Sequence, residues 1–229
     1  MSTSVNLCEI TAIFLVFSIT DHYYNWGQGK FMNDKFYDLN SAKQDKMINA
    51  ALHLFAINGY RHASTDDIIK EAGISKGLLF HYFESKAGLY SFLIQYSVRF
   101  LLFEYDRCIG EERQYFEFYE KLENAKLNVI RNYPYMYSFM EKCITETIEL
   151  DEAGLTALNK YKDDMAAYGH GIVYPKLKDG ITMYQVDVML NYTIEGITAS
   201  HMRESSPDID ALSKQVAEYI ALIKKMTIK

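Results

Sequence analysis

Cysteine and proline are both scarce in this 229-residue chain, at three apiece. Cys8, Cys108 and Cys143 are far apart, odd in number and never in a C-x-x-C pair. That excludes a disulfide framework and a zinc site and fits a reducing compartment, the cytoplasm. With so little proline and few alternating β-branched runs, the pattern of a sandwich or barrel is missing. The sequence has no H-E-x-x-H, no G-x-S-x-G and no P-loop, so an enzyme is not expected. Gly27-Gln28-Gly29 lacks the third glycine of a dinucleotide fingerprint, and the acidic neighbours Glu111-Glu112 and Asp163-Asp164 diverge on their helices instead of forming an acid/base pair. His170 and His201 stand apart from any cysteine and no H-x-x-x-H pair exists, so neither a metal nor a cofactor is expected. The apolar run from Cys8 to Thr20 falls short of the ~20 residues that a spanning helix needs. It also lacks the basic lead and cleavage site of a secretory signal.

What is abundant points one way. Apolar residues make up 49% of the chain, enough for a sizeable core, and leucine, isoleucine, lysine, glutamate and alanine are numerous. An all-α fold is expected. Tyrosine (19) and phenylalanine (13) are plentiful, which supplies material for an aromatic-lined ligand site. The net charge of −6 argues against a nucleic-acid partner only until its distribution is considered. From Ser41 to Tyr90 there are six Lys/Arg against five Asp/Glu, whereas from Ser91 to Lys229 there are 16 against 21. The acid excess lies in the larger C-terminal part. DNA binding by the first part would rest on a few placed groups, not on a basic field.

Residues 1–31 are expected to stand outside the fold. Met32 leads into a polar helix approach, and Gly27 to Phe31 can be encoded with a purine-rich ribosome-binding sequence just upstream of it. The reading is a translated leader from an early start site, with a disordered or membrane-touching N-terminal arm as the alternative.

From Ser41 the periodicity becomes helical. Met47, Ile48, Ala51, Leu52, Leu54 and Phe55 recur at three-to-four spacing and the run stops at Asn58-Gly59, with Gly59 as the left-handed residue beyond the end. Ser64 or Thr65 caps a two-turn helix that carries Asp66 and Asp67 in its first turn. Gly73-Ile74-Ser75 then gives a sharp corner, a cap and another short helix, KGLLFHYF, after which Ser85 caps a fourth helix. Two short helices across such a corner are a helix-turn-helix pattern, which a plain helical hairpin also matches. At 100° per residue Leu79 and Phe83 share one face, while Gly77, Leu78 and His81 share the opposite one, flanked by Phe80 and Tyr82 with Lys76 near the start. A core helix rarely turns Gly, Lys and His outward. A helix in a major groove does, because Gly77 lets backbone and duplex approach, Lys76 reaches a phosphate or a guanine edge, His81 and Tyr82 donate to phosphates, and Leu78 suits a thymine methyl.

Residues Lys43 to about Tyr96 resemble the DNA-binding segment of the tetracycline-repressor (TetR) family, through INAALHLFAINGYRHAST, IIKEAGISKGLLFHYF and SKAGLY. The resemblance implies a one-component bacterial transcription regulator, usually a repressor. Its three N-terminal helices would bind a pseudo-palindromic operator, and its helical C-terminal domain would dimerise and sense a ligand. It assigns a phosphate contact to Thr65 and to Lys86, and recognition-helix contacts to Lys76, Gly77, Leu78, Phe80, His81 and Tyr82. Leu78 stands where Thr or Ser is common and Phe80 where Tyr is common, so two hydroxyl contacts are lost. Ala87-Gly88 replaces an acidic pair, which removes a capping carboxylate. The expected domains are 41–90 for DNA binding and 91–229 for ligand sensing and dimerisation.

Further helices are expected at Glu112–Asn132, Pro134–Leu150, Asp151–Gly169, Tyr184–Glu204 and Asp208–Met226. In the family the last two pair with their two-fold mates. Here Val188, Met189, Tyr192, Ile197 and Ala199, with Gly196, and then Leu212, Val216, Tyr219, Ile220 and Ile223 form stripes that fit a homodimer interface through 184–204 and 208–226, or ordinary core. Phe100, Phe103, Tyr119, Tyr137, Met140 and Tyr168 are candidates for an unidentified hydrophobic or cationic small molecule, with plain core as the alternative. A further reading replaces the small molecule by a protein partner.

Overall fold

The computed structural model describes residues 36–146, 150–168, 170–204 and 207–229; the expected leader lies outside them. Among the described residues nine helices account for nearly all regular structure: α1 Ser41–His62, α2 Thr65–Ala72, α3 Lys76–Phe83, α4 Lys86–Ile109, α5 Tyr115–Asn132, α6 Met136–Thr145, α7 Glu152–Ala167, α8 Met183–His201 and α9 Ile209–Thr227. The all-α expectation holds. The chain divides into two compact units. One contains the described residues up to Phe103 together with Asn132–His170, the other Glu104–Arg131 with Gly171–Lys229.

In the first unit α1 is the central element. Met47, Ile48, Ala51, Leu52 and Phe55 are buried, as their spacing predicts, whereas Leu54 of the expected stripe is only half-buried. Gly59 has φ 69° and ψ 173°, but the helix resumes to His62 after this kink instead of stopping. Tyr90 of α4 meets Phe55 edge-on at 4.9 Å and Phe139 of α6 at 5.2 Å, the arrangement that ring quadrupoles favour. Burial, and secondarily the Cys143 thiol, pushes the Tyr90 hydroxyl well above its usual range; burial pushes the Cys143 thiol up to about 12, so this cysteine is an inert packing residue.

The segment before α6 departs from expectation. Pro134 lies in a turn outside the helix, which starts at Met136. The surrounding residues grip one face of α1 at successive turns. The Tyr133 hydroxyl donates to Asp45 at 3.0 Å, the Asn49 amide donates to the Asn132 carbonyl at 3.4 Å, and the His53 and Tyr135 rings lie 4.3 Å apart. At the other end of α6 the chain turns extended at Glu146, short of the expected Leu150, and the Glu146 carboxylate accepts the Tyr60 backbone N–H at 3.1 Å. A Cβ at Gly59 would stand 2.2 Å from that carboxylate, so the kink needs glycine both for its φ and for space.

Phe36, just before α1, is fully buried. It lies 5.3 Å from the Phe83 ring of α3 and 5.0 Å from Phe92 of α4. A lone aromatic in a polar approach carries no periodic signal, and sequence reasoning left it outside the core.

The second unit is organised by α5. On one side the Tyr115 hydroxyl donates to Asp187 and, one turn on, the Tyr119 hydroxyl donates to Asn191 at 2.8 Å, so α5 and α8 run parallel. On another side Lys224 reaches Glu117, Ser213 donates to Asn124 at 3.2 Å and Arg131 to Asp210 at 2.6 Å, so α5 and α9 run antiparallel. Glu112 is not helical as expected. Its carboxylate takes the backbone N–H groups of Arg113 and Gln114, both at 3.0 Å, and α5 begins only at Tyr115. Val186, Leu190 and Ile194 of α8 are buried, as are Leu212, Val216, Ile220 and Ile223 of α9. Of the expected α9 interface stripe only Tyr219 is exposed; the other four residues are core of this chain.

Two outcomes follow from these contacts. Phe36→Ala leaves a cavity among α3 and α4 and should destabilise the protein by about 3–5 kcal/mol, read by denaturant unfolding. Asp187 has its carboxyl raised above the usual range by burial, against the lowering effect of the Tyr115 hydroxyl. A raised folded-state carboxyl means the ionised form costs stability: the cost is absent below the ordinary aspartate range and complete above the folded-state value. Asp187→Asn keeps an acceptor for Tyr115 and removes that cost. It should raise the melting temperature at neutral pH and lose this advantage as pH falls below about 4, measured by thermal melts across a pH series.

Candidate DNA-binding site

The helix-turn-helix follows from local chemistry. Ser64, not Thr65, is the cap of α2, its hydroxyl accepting the Asp67 N–H at 3.4 Å. Asp66 and Asp67 sit in the first turn, where exposed N–H groups favour negative charge. Gly73 ends α2 in the left-handed region at φ 66° and ψ 37°, its N–H returning to Ile69 and Lys70 carbonyls. Ser75 restarts the chain as the α3 cap by accepting the Leu78 N–H at 3.2 Å.

On α3 the division of faces agrees with the helical wheel. Leu79 and Phe83 are buried; Lys76, Gly77 and His81 are exposed; Leu78, Phe80 and Tyr82 are half-buried. Leu78 is therefore partly covered where an open position was expected. A Cβ on Gly77 would meet nothing within 4 Å, so the space beside this turn of backbone is open to a large partner.

Two of the expected phosphate-binding groups are already engaged. The Lys76 ammonium pairs with Asp66 at 2.9 Å. The Lys86 ammonium donates to the Arg61 carbonyl at 3.2 Å, lies 4.9 Å from the Tyr60 ring centroid, and is made easier to deprotonate by partial burial. Lys86 thus caps an open carbonyl at the end of α1 while the rest of its hydrogens stay available. Thr65 is half-buried at the first position of α2. The Asp66–Lys76 pair was not anticipated: the two residues are ten apart across a corner, outside any helical spacing rule.

The exit from α3 is strained. Glu84 adopts φ 59° and ψ −42°, the only positive φ outside glycine among the described residues. The Ser85 N–H returns to the Phe83 carbonyl at 2.5 Å across it, a γ-turn of the costly hand. Such a residue costs of order 1–3 kcal/mol, and here it reverses the chain from α3 into α4 within one residue. Ser85 then caps α4 through the Gly88 N–H at 3.0 Å.

The candidate ligand residues do not all belong to one unit. Phe100 stands on α4, stacked 6.3 Å from Tyr96 and edge-on to Tyr133 at 4.9 Å. Phe103 is half exposed, Tyr137 half-buried, Met140 and Tyr168 buried, all in the first unit. Tyr119 belongs to the second unit and is held by Asn191. Among the described residues no group of three or more His, Cys, Asp or Glu is placed to hold a metal ion, and no helix is long and apolar enough to cross a membrane.

Residues 47–91 match the family model described as "Bacterial regulatory proteins, tetR family". The chain is 23% identical over 187 residues to the fatty acid metabolism regulator protein of Bacillus subtilis, an alignment that takes in 78% of this chain and 93% of that one. Its fold is shared with a TetR family transcriptional regulator of Chloroflexus aurantiacus (TM-score 0.54, 16% identity, 86% of this chain and 98% of that one). It is shared also with the ketosteroid transcriptional regulator KstR2 of Mycobacterium tuberculosis (TM-score 0.55, 18% identity, 83% and 97%). The segment from Met47 to Ser91 is therefore similar to the DNA-binding part of the tetR family of bacterial regulatory proteins, and it is set in an all-helical fold that solved tetR-family regulators share.

Proposed function

We propose that the protein is a homodimeric, ligand-responsive repressor that works in the cytoplasm and binds a pseudo-palindromic operator, with one α3 in each of two successive major grooves. The observation that carries the DNA-binding part is the division of α3: Leu79 and Phe83 inward, Lys76, Gly77 and His81 outward, on a helix held at both ends by caps and a strained turn. In this reading His81 and Tyr82 donate to phosphate oxygens, Leu78 and Phe80 offer apolar contact to thymine methyls, and Gly77 allows the close approach. Thr65 and the spare hydrogens of Lys86 bind the flanking phosphates. Residues 41–90 act as the DNA-binding domain and 91–229 as the sensing and dimerising one.

Support for the dimer comes from α8 and α9. After their core-facing residues are buried, Tyr184, Met189 and Tyr192 on α8 and Tyr219, Leu222 and Met226 on α9 remain exposed. Gly196 adds an open spot on α8 where a second helix could approach closely. Apolar side chains repeated along two adjacent helices are what a four-helix interface between copies uses.

The ligand in this reading is hydrophobic and rests against some of Phe100, Phe103, Tyr119, Tyr137, Met140 and Tyr168. The Bacillus subtilis relative is named for fatty acid metabolism, which makes an acyl chain the first class to try. Binding would favour a conformer whose two recognition helices are wrongly spaced for DNA.

Lys76→Ala and His81→Ala should each weaken binding to DNA from upstream of the gene by about 5–150-fold, the range for loss of one good contact of ~1–3 kcal/mol. The dimer should persist on size-exclusion chromatography. A salt-series gel shift makes the measurement, and loss of the dimer together with DNA binding would place these residues in the core instead. Long-chain fatty acids or their coenzyme A thioesters, at a hundred times their Kd, should raise the melting temperature by several degrees. A flat response across hydrophobic and cationic compounds would favour control by a protein partner.

A further inference from the structure

We propose that Asp66 is a specificity-determining residue: by pairing with Lys76 it turns that lysine from a phosphate anchor into a reader of a base edge. The inference rests on the DNA-binding reading of α3 given above. Lys76 opens the recognition helix and Asp66 stands in the first turn of α2, so the corner between the two helices brings their side chains together at 2.9 Å. Both are largely exposed, at 64% and 73%. The pair is therefore not a stabilising core element, since exposed pairs contribute little. Its consequence lies in what the ammonium can do next.

A lysine ammonium has three hydrogens, and Asp66 takes one. The other two can go to a phosphate or to the O6 and N7 acceptors of guanine. A phosphate approaching Lys76 also approaches the Asp66 carboxylate, and the two negative charges repel. A guanine edge is a neutral acceptor and meets no such penalty. The carboxylate thus lowers the attraction of Lys76 for any DNA while leaving its attraction for a G·C pair, and selectivity is the difference between the two. The pair is also net neutral, so it releases no counterion, whereas a free lysine would release about one.

Asp67 provides the control. It lies next to Asp66 in the same exposed turn, and its side chain has no ion-pair partner among the described residues. Wild type, Asp66→Asn and Asp67→Asn, each checked for an unchanged circular-dichroism melt, are titrated by fluorescence anisotropy with a random-sequence duplex across a salt series. Each is also used to select sites from a random DNA pool. Asp66→Asn is expected to bind random DNA about 2–5-fold more tightly, the range of one exposed ion pair. Its log–log salt slope should steepen by about 1 per protomer, and a G·C preference in each selected half-site should fade. Asp67→Asn should show none of these changes. Equal behaviour of the two variants, or an Asp66→Asn slope and selected site identical to wild type, overturns the inference. Failure of the wild type to bind any duplex or enrich any sequence overturns the DNA-binding reading itself, and is visible before the variants are compared.

Discussion

Everything in the first unit depends on how α1 is held. Its inner stripe from Met47 to Phe55 is closed over by α2, α4 and α6, and the Phe55–Tyr90–Phe139 cluster fixes their approach through edge-on rings. Along a second face Asp45, Asn49 and His53, spaced by four, each take one residue of the Asn132–Tyr135 segment. At its far end the kink at Gly59 admits the Glu146 carboxylate. A helix clamped at four successive places has no freedom to slide or roll, so α2, which is packed on it, and α3, which meets α2 across the corner, inherit its position. The Tyr133 hydroxyl also lies 2.5 Å from that of Tyr96 on α4. One tyrosine therefore ties α1, the helix before the helix-turn-helix, to α4, the helix that follows it.

Polar rungs of the same kind set the register of α5 in the second unit. Hydroxyl to carboxylate and hydroxyl to amide at Tyr115 and Tyr119 fix one neighbour, and the Glu117, Asn124 and Arg131 contacts fix the other. Apolar stripes alone would let α5 shift by a turn at modest cost, because one buried leucine or valine substitutes for another. Directional bonds at four-residue spacing forbid that slip. Burial raises both tyrosine hydroxyls far above their usual range, which favours their neutral, hydrogen-donating form.

Legibility in the sequence followed the distance over which each determinant acts. The α2–α3 corner was readable because its determinants are local: Ser64, Gly73 and Ser75 each act within three or four residues, and the wheel of α3 needs only its own eight residues. The α1 stripe was readable for the same reason. Pro134 was placed in a helix because proline favours a first helical turn. In the fold, Tyr133 and Tyr135 on either side are needed for α1, at separations above eighty residues that no spacing rule reports. Phe36 has no periodic neighbours, and its burial depends on Phe83 and Phe92. On α9 the sequence offered one apolar stripe for two possible uses, and only packing against α8 divides it into Leu212, Val216, Ile220 and Ile223 inside and Tyr219 outside.

The charge pattern acquires a physical meaning once the geometry is known. A net charge of −6 and a nearly neutral 41–90 segment give no long-range attraction to a polyanion. On the candidate DNA surface the first lysine of α3 is matched by an acid, and Lys86 is partly spent on the carbonyl at the end of α1. A surface arranged this way holds random DNA weakly, since most non-specific affinity comes from neutralised phosphates. In the proposed DNA-binding reading, binding strength comes from contacts that depend on fit: the open backbone at Gly77, the half-buried apolar flanks Leu78 and Phe80, and His81 and Tyr82 as donors. On that reading the surface exchanges raw affinity for the ratio that decides occupancy in a genome, where non-specific sites outnumber operators by orders of magnitude.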